Sequence, residues 1–587
     1  MRAASIVRPT LLALLCAAPL AAQSPAQLAD GAPREGAGRA DSTRALRTAR
    51  TAQSEYERIR LRNAPWTMDG GSGGHCDEII GRFCLWDSGS EDSWKAPPER
   101  PAQRVARDSL LARLTAAAER VPGDGWVAGQ RVRYLVEAGR TGDALAAARG
   151  CRAERWWCLA LEGFAAHAAG DYLPAEGAFT AALAAMPEDE RRDWTDLTPV
   201  LPAGDVGGYR RLRGAERAAA ERRFWWLADP LWMDTANDRR TEHGARLVFD
   251  RLQERARTTE RIAWADDLRQ ILIRYGWPTG WEKIRPRMHQ TGPDVSVVTH
   301  YASKSWEFIP RFRAVAPGAE LPADTWELDA RQSHTTYSPR YAAGFGELDH
   351  QVAVFRRGAG HAVVAAYGMK ADSVAPGAPV RAGLVLAPDD SAEPVRAIAR
   401  GVGPSGFLRA DAAFPKAIVS VEARAGADSG RVERARYAIT LERASAGGVA
   451  ISDVLLLADP AARPATLDEA APLARPGTRL RAGERMGLFW EMYRAPDGPE
   501  TLRISLALAR RASGGVRRVA ERIGLADAGT PVRVRWTEEA GGAGLLSRAT
   551  TVALPATLAP GEYLLEVTVQ PPGGPAVTAT RAVTITN

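Results

Sequence analysis

Along the first half of the chain apolar residues recur at helical spacing, whereas beyond about residue 349 they alternate with polar residues at the period of a β-strand. The densest aromatic text is 224–283. Within it Asp234 and Thr235 offer an N-cap ahead of a helix predicted over 236–256, with Ala245, Val248, Phe249 and Leu252 on one apolar stripe. A second element carries Trp264, Leu268, Ile271 and Leu272 until Gly276 and Pro278 stop it. Trp264 opens that series and is expected to be buried. After residue 349 the runs QVAVFRR, HAVVAAY, PVRAGLVLA, AIVSVEARA, RARYAITLER and ISDVLLL are separated by Gly, Pro and Asp. That spacing predicts an antiparallel sandwich. A proline-rich passage, 459–476, then precedes a second set: MGLFWEMYR, LRISLALAR, PVRVRWTE, TTVALP, GEYLLEVTV and AVTITN.

Residues 101–187 read as helix pairs. The clearest piece, 159–187, resembles a tetratricopeptide repeat through Gly163, Gly170, Tyr172, Ala175, Phe179, Ala182 and Pro187, with Leu159 standing where the repeat usually has a large aromatic. Gly139 and Ala144 lie 31 residues before Gly170 and Ala175, the trace of a degenerate preceding copy. One or two such units cannot bury their own faces, so this region should lean on 224–283. There, Asp229-Pro230, Thr235, Asn237, Glu242 and Arg246 are followed by Ala263-Trp264-Ala265-Asp266-Asp267 and by Arg274-Tyr275-Gly276 with Pro278. This text resembles the bacterial GWxTD-domain proteins, an uncharacterised exported family, with Ala263 and Asp266 departing from the glycine and threonine of the signature. The resemblance implies a domain and no activity. Near the C-terminus, Leu558 to Tyr563 resembles the strand entry of bacterial immunoglobulin-like domains, its Pro560-Gly561 turn aiming Tyr563 back at the sheet edge.

The fold expected is therefore multidomain α+β. Residues 1–22 read as a signal peptide, with Arg2 and Arg8, an apolar run too short to span a bilayer, and Ala21-Ala22 at its exit. Residues 23–100 form a disordered and helical lead with a cysteine-containing loop, 101–200 the tetratricopeptide-like helical region, and 205–299 the GWxTD-like domain. An extended aromatic connector, 300–348, leads to a β-sandwich over 349–460 and a second, immunoglobulin-like sandwich over 477–587. Fifteen of the 17 tryptophans precede residue 330, which groups the helical half with the connector.

Charge adds little. Removing Arg2 and Arg8 from the formal +7 leaves +5, scattered among acids with no basic stripe, which excludes a nucleic-acid tracker. Export puts Cys76, Cys84, Cys151 and Cys158 in an oxidising compartment, where four thiols form two disulfides; three pairings are open, and Cys76–Cys84 with Cys151–Cys158 is favoured. His75, Cys76 and Cys84 lack the paired spacing of a zinc site. The Gly70–Gly74 string follows no strand and reads as a loop. Asp238, Glu242 and His243 with Asp266 and Asp267 are the one acidic constellation. Arg239, Arg240 and Arg246 on the same helix explain those acids as an ion-paired solvated face, while His167 and His361 read as isolated histidines. No catalytic, cofactor or metal residue is assigned. The expected function is a non-catalytic, periplasmic or extracellular binding or structural component that contacts a protein or envelope partner, without nucleic acid and without a membrane span. The rival is an envelope hydrolase with its acids at Asp266 and Asp267.

Overall fold

The computed structural model describes residues 35–66, 78–85, 94–284, 297–302, 305–315, 321, 323–326, 328, 334–426, 430–442, 445–446, 448–494, 500–511, 532–540 and 544–587. The signal peptide, His75, Cys76, the Cys84 side chain and Gly70–Gly74 lie outside the described residues. The chain is α+β, with its long helices first and its sheets after.

Among the described residues eleven helices build the first half: α1 (Glu35–Asn63), α2 (Pro101–Arg120), α3 (Gly125–Glu137), α4 (Thr141–Arg149), α5 (Arg155–Ala169), α6 (Tyr172–Ala185), α7 (Glu188–Thr195), α8 (Ala203–Arg211), α9 (Gly214–Ala228), α10 (Asp238–Gln253) and α11 (Asp266–Tyr275). Asp124 caps α3 by accepting from the Val127 amide, and Gly170 ends α5 in the left-handed conformation at φ +86°. Helix α5 packs on α6 at Gly163, where a Cβ would stand 2.9 Å from the Phe179 ring. Gly244 of α10 meets the same ring from the other side. One aromatic side chain thus fills the space two glycines leave, and the α5–α6 pair leans on α10. Cys151 and Cys158 are bridged across 5.5 Å between Cα atoms, because α4 ends before Gly150 and α5 starts only at Arg155. The loop closed is short, so replacing both cysteines by serine should cost roughly 2–3 kcal/mol. Denaturant unfolding followed by helical and by sheet signals should show that loss in the helical half first.

Four sheets follow. Sheet I runs Ala342–Glu347, Gly430–Thr440, Lys416–Ala425, Val380–Ala387, Val395–Val402 in spatial order, and sheet II runs Ser405–Ala412, Gly360–Gly368, Asp349–Arg357. Sheet III gathers Val449–Ile451, Leu455–Leu457 and Gly544–Ala553 around Arg485–Arg494; sheet IV runs Arg479–Arg481, Val577–Thr586, Gly561–Gln570, Glu500–Arg510, Val532–Ala540. Ladders are antiparallel except two, Ala342–Glu347 on Gly430–Thr440 and Arg479–Arg481 on Val577–Thr586. The ISDVLLL run, grouped by spacing with the first set, pairs instead with Arg485–Arg494 of the second. Residues 449–451 and 455–457 thus belong to sheet III.

Sheet II is covered on both sides. Val352, Val354, Val363 and Ala365 face sheet I, while Ala353, Phe355, Ala362 and Val364 face Leu455, Leu457 and Phe489. A strand buried on both faces needs no polar positions, which is why AVVAAY, 362–367, is continuously apolar. Sheet I is likewise covered twice: Val419, Val421 and Ala423 pack toward sheet II, and Ile418 and Val432 join a core with Phe224, Leu231, Trp232, Phe308, Tyr337 and Phe345.

That second core joins helices to sheets, and its centre is polar. The 229–234 segment after α9 lies on sheet I, where the Trp232 and Met233 amides donate to the fully buried Glu422 carboxylate at 2.9 and 2.8 Å. Arg436 donates to Glu422 at 2.9 Å, and Arg434 donates to the Pro230 carbonyl at 2.7 Å. A unit cut at residue 349 omits Ala342–Glu347 and uncovers this face.

Candidate functional site

Helix α10 begins at Asn237, whose Oδ1 accepts from the Arg240 amide at 2.9 Å. Its sequence predicts one apolar stripe and one solvated charged face. Thirteen of its sixteen residues are buried instead, because α3, α5, α6, α9 and α11 all pack against it. Asp238, Arg239, Glu242, His243 and Arg246 are therefore interior groups, which corrects the solvated-face reading.

Burial would raise the Glu242 carboxyl, but Arg246 and His167 outweigh it and hold the group well below the usual carboxylate range. The Arg246 Nε donates to Glu242 at 2.7 Å, and its two terminal nitrogens donate to the Ile273 and Thr336 carbonyls at 2.8 and 2.9 Å. His167 of α5 meets Glu242 at 2.7 Å through Nε2 and Thr241 at 2.9 Å through Nδ1. His167 is thus the residue that sequence reasoning left without a role, and no spacing signal connects it to a helix 75 residues away.

Asp238 accepts from the Tyr337 hydroxyl at 2.8 Å, and burial pushes its pKa up to about 7. Arg239 is fully buried, its guanidinium over the Trp225 and Tyr337 rings at 5.7 and 5.9 Å. Burial pulls Arg239 down to about 9 and, with Arg239 beside it, depresses His243, whose ring lies 4.7 Å from that of Trp225. At neutral pH His243 is uncharged, an aromatic packing group.

A buried carboxyl that keeps its proton in the folded state weakens folding as pH rises. Unfolded, Asp238 ionises near 3.9; folded, it ionises near 7. Its effect on stability is absent below the lower value and grows by roughly 1.4 kcal/mol per pH unit between the two. Asp238→Asn should therefore flatten the loss of stability between pH 5 and pH 7, measured by denaturant unfolding at each pH.

Asp266 and Asp267 open α11, but they do not converge on Glu242. Asp266 is exposed. Asp267 is bound by Arg82 through Nε and Nη2 at 2.5 and 2.7 Å, and those bonds pull its pKa down to about 2. Both lie toward the Asp250 end of α10, where Arg269 pairs with Asp250 at 3.2 Å. Glu242 is about 12 Å from Asp250 along the helix axis. The acidic constellation is thus dispersed between two ends of one helix. Trp264 precedes α11 rather than opening it, is half-buried, and donates from Nε1 to Asp250 at 2.8 Å. Trp264→Ala should cost about 2 kcal/mol, below the 3–5 typical of a core tryptophan, as denaturant unfolding would measure.

A concavity lies elsewhere, a groove of about 700 Å³ between α2, α3 and α4. Leu111 and Leu135 form its buried floor, with Ala112, Ala116 and Ala146 along its walls. Asp108, Glu119, Arg131 and an Arg140–Asp143 pair at 2.7 Å make a mixed-charge rim. Among the described residues there is no cluster of three metal-ligating side chains and no helix long and apolar enough to cross a membrane.

No known protein family matches the chain, and no curated protein matches it. Solved structures similar to parts of it include an alkylpurine DNA glycosylase from Pseudomonas fluorescens, 14% identical over 23% of this chain and 31% of that one, with a TM-score of 0.14. A family 123 glycoside hydrolase from Clostridium perfringens is 8% identical over 24% and 27%, at 0.16. A putative membrane anchored protein from Corynebacterium diphtheriae is 10% identical over 44% and 63%, at 0.17. The chain spans less than two thirds of the length of each, and likenesses this weak carry no argument about its fold or activity.

Proposed function

We propose that the chain is an exported, non-catalytic binding protein whose helical half takes a protein or cell-envelope partner in the α2–α3–α4 groove. The carrying observation is that groove, open, floored by leucine and rimmed by both charges. The carboxylates that a hydrolytic centre would need are committed elsewhere: Glu242 to Arg246 and His167, Asp267 to Arg82. The bridge between Cys151 and Cys158 supports export to an oxidising compartment.

Finer assignments belong to the same reading. The α5–α6 hairpin, with Phe179 under Gly163, supports a tetratricopeptide-like unit. Tyr563 is buried and donates from its hydroxyl to the Ala559 carbonyl at 2.8 Å, a tyrosine corner that supports an immunoglobulin-like second sandwich. We keep the GWxTD-like assignment for residues 205–299 on the strength of its sequence text.

The test is affinity capture from the native envelope with the wild-type chain and with Ala116→Arg/Ala146→Arg, which fills the groove from its exposed walls. A partner lost by the variant at unchanged thermal stability is expected. Equal capture by both proteins contradicts the groove, and turnover of an envelope polymer abolished by Asp266→Asn would establish the hydrolase reading in its place.

A further inference from the structure

The outer strand of sheet IV, Val532–Ala540, has nine residues and pairs on one side only, with Glu500–Arg510 in unbroken register. Among the described residues no strand meets its other side. Long open edges are normally blunted by proline, lysine, bulges or inward charges, or kept short. The opposite edge of this sheet is indeed short, the three residues Arg479–Arg481. Val532–Ala540 has no proline, lysine or bulge, and its one inward charge, Glu538, is neutralised by Arg548 of sheet III.

The two faces of this strand differ. Val532 and Trp536 turn inward against the core shared by sheets III and IV, and Val534 on that side remains 46% exposed. Arg533, Arg535, Thr537 and Glu539 face solvent. The outward face is therefore positive at its beginning and negative at its end.

We infer that this edge pairs with the same edge of a second copy, forming a two-fold antiparallel dimer with one sheet continuous across both copies. A two-fold axis reverses the strand, so the basic beginning of one copy meets the acidic end of the other. Residues directly opposite in an antiparallel pair share a face, which limits the registers. Centring on Thr537 puts Arg535 opposite Glu539 of the second copy, and centring on Trp536 puts Arg533 opposite Glu539. Centring on Arg535 would oppose two arginines. Charge thus selects the registers centred on Trp536 or Thr537, and each covers Val534 with a cross-strand neighbour. Main-chain hydrogen bonds supply the attraction, as in other β-augmented complexes.

The experiment is sedimentation velocity on the full mature chain over a concentration series, with variants at exposed positions that leave the core and the Glu538–Arg548 pair intact. Wild type is expected to pass from monomer to dimer. Arg533→Glu/Arg535→Glu and, separately, Glu539→Arg each place like charges across the axis, and each should raise the dimer dissociation constant about tenfold or more. Mixing the two variants restores complementary charge at both contacts across the axis and should yield a heterodimer tighter than either homodimer. A wild type that stays monomeric at its highest soluble concentration overturns the inference, as does a dimer unaffected by both reversals.

Discussion

Replacing Arg246 by methionine is expected to lower the free energy of unfolding by about 3–5 kcal/mol. Arg246 is 2% exposed, and its guanidinium is shared between the Glu242 carboxylate and the carbonyls of Ile273, Arg274 and Thr336. Methionine fills much of the volume, so the loss comes from leaving a buried carboxylate and several carbonyls without a donor. His167 remains against Glu242 and offsets part of it. The double variant Arg246→Met/Glu242→Gln should recover a substantial part of the loss, since the uncompensated charge is then gone. Denaturant unfolding of the three variants reads this directly. A loss under about 1 kcal/mol for the single change would mean that the Glu242 charge is relieved by another route.

Glu422→Leu is expected to have an effect of similar size at the junction of the two halves. Its carboxylate accepts from the Trp232 and Met233 amides, from Ser420 at 2.6 Å and from Arg436, and both Glu422 and Arg436 are buried. Leucine removes the counter-charge of Arg436, which keeps its bonds to Ser420 and the Asp229 carbonyl, and leaves two amides without an acceptor, at about 3–5 kcal/mol. Calorimetry should then show the helical and sheet transitions separating, because the 229–234 segment has lost its anchor on sheet I. A single transition at the wild-type temperature would contradict that role. Adding Arg436→Met should bring the transitions back toward one another, a coupling measurable as a double-mutant cycle.

How legible these features were in the sequence depends on the distance over which the determining contacts act. Local periodicity located the strands QVAVFRR, PVRAGLVLA and GEYLLEVTV, since alternation and turn residues are short-range signals. The same periodicity misassigned ISDVLLL, because pairing partners are chosen by tertiary packing and Leu455–Leu457 found Arg485–Arg494 across the intervening passage. Helix α10 was legible as a helix, but its charged face was read as solvated. Nothing along the chain reports that Tyr337, His167 and Ile273 close over it from three other segments. Arg357 is similar: nothing local in the QVAVFRR run reports that it reaches the buried Glu491 at 2.6 Å. The groove was out of reach for the same reason, since it is made by the mutual placement of three helices and not by any motif within them.

The central claim, that the α2–α3–α4 groove holds a partner, is tested most directly by a photo-crosslinking residue placed at Ala116 in cells that produce the full chain. The account predicts a discrete crosslinked species from position 116, absent when the same residue stands at the exposed Asp266 and absent when Ala146→Arg narrows the groove. Crosslinking from Asp266 with none from Ala116 would contradict it, and would move the binding surface to the start of α11.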